Sequence, residues 1–186
     1  MALPREQLTL EEFLQLPEEE PALEFEEGRV TQKVAAGGRH SCLQPHLAQL
    51  VDQATPTKPG TIAFVELRTT YGGRSYVPYI AAYQRERVPV DETGEVADDF
   101  REPPDLVAEI ISPDENVTRL LRRCLWYVAH GVRVALLRDP ADDSILVFRP
   151  NQNPLSLDED EELDLGDVMP GLKLRVSDVF GVLKIG

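Results

Sequence analysis

Pro103-Pro-Asp-Leu-Val-Ala-Glu-Ile-Ile-Ser-Pro113 is the stretch whose reading decides the fold. Residues 106–111 are apolar and partly β-branched, with the single exception of Glu109. A short apolar run bounded by prolines reads as a strand covered on both faces. An ionised carboxylate in such a strand is expensive unless it is paired or bound to a metal ion. Glu109 is therefore the first candidate for a functional residue.

Beyond Pro113 the chain reads as a helix starting near Asn116. Val117, Leu120, Leu121, Cys124, Leu125 and Val128 recur at helical spacing and form one apolar stripe. Asn116 or Thr118 can cap its start, and Gly131 lies just past its end. Arg119, Arg122 and Arg123 fall on the flanks and back of the stripe. Val132 to Leu137 is a second apolar strand, closed by Asp139-Pro140. Strand, helix and strand in this order imply a right-handed parallel crossover.

Towards the N-terminus, Thr9-Leu-Glu-Glu12 is a capping-box pattern that opens a short helix running to about Leu16. Leu23-Glu-Phe-Glu-Glu-Gly-Arg-Val30 reads as two strands around a turn at Gly28. Glu24, among apolar neighbours, is either an edge-strand glutamate facing water or a carboxylate near a metal. His40 opens a helix to about Gln53, with Leu43, Leu47, Leu50 and Val51 as its core stripe and Pro45 in its first turn. Neither His40 nor His46 has the context of a zinc site. His40 reads as a structural residue or, alternatively, a ligand. Thr55 to Gly60 is a turn. Ile62 to Leu67 is a strand, turned at Gly72-Gly73 into a partner from Ser75 to Tyr83. Pro78 interrupts that partner and implies a sheet edge or a bulge.

Gln84 to Phe100 is polar and acidic, the composition of a surface excursion. Ser144 to Phe148 is another strand. Leu157 to Asp167 carries many acids but lacks the glycine and glutamate positions of a calcium loop, so it reads as a solvated loop. Met169-Pro-Gly171 turns the chain into Leu172 to Val176, and Ser177 to Gly181 is a helical turn.

The chain of 186 residues suits a single domain over 1–186, and 42% hydrophobic content is ordinary for a soluble protein. Met1 to Gln15 does not have the pattern of a signal peptide, and no run has the length of a membrane span. Of the two cysteines, Cys124 falls on the apolar stripe as a small hydrophobe; the cytoplasm is the expected compartment. The net charge of −14 disfavours tight non-specific binding to DNA, though it leaves room for a local basic patch.

The hairpin at 23–30, Arg39-His40, Tyr76-Val-Pro-Tyr-Ile80, the Pro-Asp-Leu-Val-Ala-Glu-Ile-Ile-Ser-Pro run, Tyr127-Val-Ala-His-Gly-Val132 with Arg138-Asp-Pro140, and Pro170-Gly-Leu172 stand in a shared order. That order resembles the Uma-type family of bacterial restriction-endonuclease-like proteins, within the PD-(D/E)xK nuclease superfamily. The resemblance implies an α/β fold: a mixed β-sheet flanked by α-helices, with an N-terminal β-hairpin and helix. It also implies a DNA endonuclease that uses magnesium or manganese to hydrolyse phosphodiesters, with DNA as partner and a homodimer as assembly. In that family two acids hold the metal and a lysine assists the attacking water. Glu109 matches the second acid, and Glu24 the family's extra N-terminal glutamate.

Two positions depart from the pattern. Pro78-Tyr79 stands where the family has Pro-Asp, and a phenol is neutral at pH 7 and a poor magnesium ligand. Arg123, four before Tyr127, stands where the family has its helix lysine, and arginine cannot shed a proton to act as a base. No lysine stands two after Glu109, where Ile111 is found. The resemblance therefore predicts impaired activity and weak or absent magnesium binding. The alternative is a catalytically inactive nuclease fold used for binding or assembly. Asp105 and Glu66 are the nearest substitute carboxylates, and His40 and Arg122 are candidate phosphate contacts. A plainer reading makes Glu109 and Arg123 a buried ion pair whose loss unfolds the protein.

Overall fold

The structure is a computed structural model and describes residues 8–35, 37–54, 60–113 and 115–184. Helix α1 (Leu10–Phe13) is closed by the expected capping box: the Glu12 N–H donates to Thr9 Oγ1 at 3.2 Å and the Thr9 N–H to Glu12 Oε2 at 2.8 Å. β1 (Leu23–Glu26) and β2 (Arg29–Gln32) form the expected hairpin. α2 (Gly38–Ala54) starts two residues before His40, so Pro45 lies in its interior and not in its first turn. The expected turn at Thr55–Gly60 lies outside the described residues apart from Gly60.

The next segment departs from expectation. β3 (Thr61–Val65), β4 (Thr69–Tyr71), β5 (Arg74–Tyr76) and β6 (Ile80–Gln84) are four strands, not two. The Gly72-Gly73 turn joins β4 to β5, whereas β3 pairs with β6. The expected single strand from Ser75 to Tyr83 is thus two strands of two different sheets, parted at Val77-Pro-Tyr79. Pro78 has no N–H for a ladder, so the break falls there.

β7 (Leu106–Ile110), α3 (Val117–Ala129) and β8 (Val134–Asp139) make the crossover, with β7 and β8 parallel and Glu109 opposite Leu137. Asn116 caps α3 by accepting from the Arg119 N–H at 3.0 Å, and Gly131 follows the helix at φ +106°. β9 (Ser144–Phe148), β10 (Leu155–Leu157), β11 (Glu162–Asp164), β12 (Lys173–Arg175) and α4 (Val176–Phe180) complete the chain. The acidic stretch is more ordered than the expected loop: Leu157, Leu163 and Leu165 face the core while the acids between them stay exposed.

The main sheet has the order β10-β9-β8-β7-β6-β3 and a smaller one the order β2-β1-β5-β4. Strand alternation divides the core. Leu106, Ala108 and Ile110 of β7 pack with α2 and α4 on one face. Val107 packs with Leu120, Cys124 and Tyr127 of α3 and with Tyr71 and Tyr76 of the small sheet on the other. The buried stripe of α3 is rotated from the expected one. Arg123 is inside it, not on its flank, while Val117 and Leu125 are 42% and 47% exposed.

Candidate active site

Glu109 lies in the middle of β7, on the face towards α3, with no solvent exposure. The Tyr127 hydroxyl donates to its Oε1 at 2.8 Å, and Arg123 Nη1 lies 3.5 Å from the same oxygen. Its second oxygen, Oε2, has no hydrogen-bond partner. Burial raises the pKa of this carboxyl, against the opposing pull of Arg123 and Lys33.

Glu24 does not face water. β1 is an inner strand of the small sheet, and Glu24 is 3% exposed. Arg123 grips it with both arms, Nη1 to Oε1 at 2.9 Å and Nη2 to Oε2 at 2.6 Å. The Val77 N–H adds a third donor to Oε1 at 3.1 Å. The guanidinium also lies 4.3 Å from the Tyr76 ring centroid. The principal pair of Arg123 is therefore Glu24, a bidentate fork of the strong kind, and Glu109 is its second partner.

Tyr79 sits at the crossing between the two sheets, 1% exposed. Its carbonyl is held by Gln44 Nε2 at 3.1 Å and the Glu66 N–H at 3.2 Å. Its hydroxyl makes no hydrogen bond. Burial, with Glu115 and Glu109 nearby, raises its pKa, so the phenol is neutral. The His40 ring meets it edge-on at 3.8 Å between centroids. His40 Nδ1 pairs with Ser112 Oγ at 3.0 Å, and burial, then Lys33, push the imidazole pKa down to about 4.

Two residues of this cluster escaped the sequence reading. Lys33 is buried, with its Nζ 3.5 Å from the Tyr79 ring centroid and 3.3 Å from Glu66 Oε1. Glu115 accepts from the Ser112 N–H at 3.2 Å, and burial followed by the charge of Glu109 raises its pKa. Strand parity carries a signal for Lys33. Glu24 pairs with Thr31, so Lys33, two further on, continues the same face of the hairpin.

The other candidates divide. Glu66 reaches the cluster at its rim, its side chain 44% exposed. Asp105 does not reach it. Just before β7 it accepts from the Gln84 N–H at 2.8 Å and pairs with Arg87 and, at 3.8 Å, with Arg133. Asp105 precedes β7, and four residues, roughly 13 Å of extended chain, separate it from Glu109. Arg122 is exposed on α3 and lines a separate cleft with Arg29, Thr31 and Arg119.

These residues do not fit a divalent cation well. Magnesium takes several hard oxygens. Glu24 has both oxygens turned to Arg123, Tyr79 offers a neutral phenol, and Arg123 and Lys33 place two positive charges around Glu109. Among the described residues no group of three or more His, Cys, Asp or Glu side chains is arranged to hold a metal ion. What the site does hold is an orphaned carboxylate oxygen buried among charged and aromatic side chains.

The arrangement has relatives. A crystal structure described as that of a "putative nuclease belonging to DUF820", from Anabaena variabilis ATCC 29413, superposes with a TM-score of 0.90 at 35% sequence identity, over 95% of this chain and 99% of that one. A comparison with curated proteins yields no match. Residues 10–177 match the Uma2 family model, whose description reads "Putative restriction endonuclease". With a mixed sheet flanked by helices and that match over most of its length, the chain belongs to the Uma2 family of restriction-endonuclease-like proteins.

Proposed function

We propose that this chain is a nuclease-fold protein whose metal-dependent hydrolysis of DNA phosphodiesters is impaired, and that it works chiefly by binding or assembly. One observation carries the reading: Glu24, the acid that would share a metal with Glu109, is engaged in a bidentate pair with Arg123. Tyr79 and the two buried cations, Arg123 and Lys33, support it. Such a pocket disfavours an additional dication, because each unbalanced buried charge costs several kcal/mol.

Supercoiled plasmid incubated with the purified protein and magnesium or manganese tests this directly. The expected result is little or no nicking over long incubation. Metal-dependent cleavage by the unaltered protein, abolished in a folded Glu109→Gln variant, sinks the reading.

Two surfaces support binding or assembly. Val117, Leu121 and Leu125 stand at successive turns of α3, with Val117 and Leu125 largely exposed, and they suit a homodimer face. Arg29, Arg119 and Arg122 line the surface cleft and suit the phosphates of DNA. Cys42, an exposed free thiol, suits the reducing cytoplasm.

A further inference from the structure

Four charged side chains are buried together: Glu24, Glu109, Arg123 and Lys33. Among these four the charges balance, and the further acids of the cluster are Glu66 at the rim, paired with Lys33, and Glu115. Arg123 is explained by its fork with Glu24. Lys33 has no such fully buried partner; its ion pair is with Glu66 at the rim. A buried ammonium needs groups around it that compensate its charge. Here its Nζ lies 3.5 Å from the centre of the Tyr79 ring, whose face attracts cations. It is also close enough to Glu109 to pull that carboxyl's pKa down.

The geometry points to Lys33 as a built-in cation that, lying on the Tyr79 ring, takes the place of a divalent ion at this site. This deepens the reading of an impaired site and rests on it. Lys33 and Tyr79 act as one unit: the ring is both a missing ligand and the platform on which the ammonium lies. Restoring an aspartate by Tyr79→Asp therefore does not by itself recreate a metal site. The new carboxylate meets Lys33 first and is taken up in an ion pair, as Glu24 is by Arg123. Only when Lys33 is also made neutral do the introduced carboxylate and the orphaned Glu109 Oε2 both face an uncompensated pocket.

Manganese titration by calorimetry tests this on three folded proteins: the unaltered chain, Tyr79→Asp, and Tyr79→Asp combined with Lys33→Met. Near-ultraviolet circular dichroism confirms the fold, and Lys33→Gln replaces Lys33→Met if the latter does not fold. The double variant is expected to bind manganese at least about a hundredfold tighter than Tyr79→Asp alone, a floor well below the full repulsion between one unit charge and a dication a few ångströms apart at an effective dielectric of about 20. Equal affinity in the single and double variants overturns the inference and leaves the impaired-nuclease reading intact. Absence of binding in a folded double variant overturns it too, since Lys33 is then not what keeps the ion out. Plasmid cleavage by the unaltered protein instead sinks the parent reading.

Discussion

His40 is a histidine kept neutral by its surroundings. Burial holds its pKa at about 4, with Lys33 adding to the effect and Glu66 opposing it. The unfolded chain, near the ordinary value of 6.5, therefore binds a proton that the folded protein refuses between pH 6.5 and 4. A depressed folded pKa gives stability that is present above 6.5 and lost as pH falls through that window, at most about 3 kcal/mol across its full span. Thermal unfolding measured from pH 7 to 5, above most carboxylate titration, is expected to show a falling Tm in the unaltered protein and a flatter profile in His40→Gln. Equal slopes in the two proteins refute the assignment. At this scale the sequence is unevenly informative. Glu109 announces itself, because one acid in an apolar run has to be paired or bound to something. Glu24 does not, because four residues of strand look the same at a sheet edge and inside a sheet. Lys33 is harder still: nothing in Thr-Gln-Lys-Val says that the hairpin will be laid across the tyrosine that links the two sheets.

Among elements, the crossover from β7 through α3 to β8 was legible in outline, since apolar strands, an N-cap and a following glycine are local signals. The rotation of α3 was not. Periodicity selects a stripe of apolar residues, and Val117, Leu120, Leu121, Cys124, Leu125 and Val128 are too broad a stripe for one contact. Burial of Arg123 against Glu24 chooses which side faces in, and that choice depends on an acid 99 residues away. The same long-range logic broke the strand at Pro78, where the proline says that a ladder ends but not that a second sheet begins. The side of α3 left outside has a consequence. Val117, Leu121 and Leu125 lie four residues apart on one surface, and a homodimer that buries it loses affinity when a charge is placed on it. Sedimentation equilibrium is expected to show a dimer for the unaltered chain and a monomer for Leu125→Glu. Because the site is exposed, the Tm of the isolated subunit should change little, within about 0.5 kcal/mol of stability. A monomer at all concentrations before mutation removes α3 as an assembly face.

For the molecule as a whole, a net charge of −14 opposes any polyanion at long range, while contact is decided within about 10 Å by local charge. The cleft beside α3 shows how a patch survives in an acidic protein. Glu26 and Glu27 line it along with Arg29, Arg119 and Arg122, but Arg74 pairs with both of these glutamates. Arg74 thus answers one of their two charges, and the three arginines leave the cleft with a positive balance. Arg119 is also braced, Nη2 to Thr31 Oγ1 at 2.8 Å, so part of its ordering is complete before any ligand arrives. If each arginine neutralises one phosphate, the affinity for duplex DNA falls with salt at a logarithmic slope of about −3, from about 0.9 per phosphate. Fluorescence anisotropy on a labelled duplex at several salt concentrations reads that slope. Arg119→Ala combined with Arg122→Ala is expected to bring it to about −1 and to weaken binding alike for different sequences, since backbone contacts carry no base information. An unchanged slope in the double variant moves DNA off this cleft; no binding even at low salt means that the protein's overall negative field wins, and leaves assembly through α3 as the surviving role.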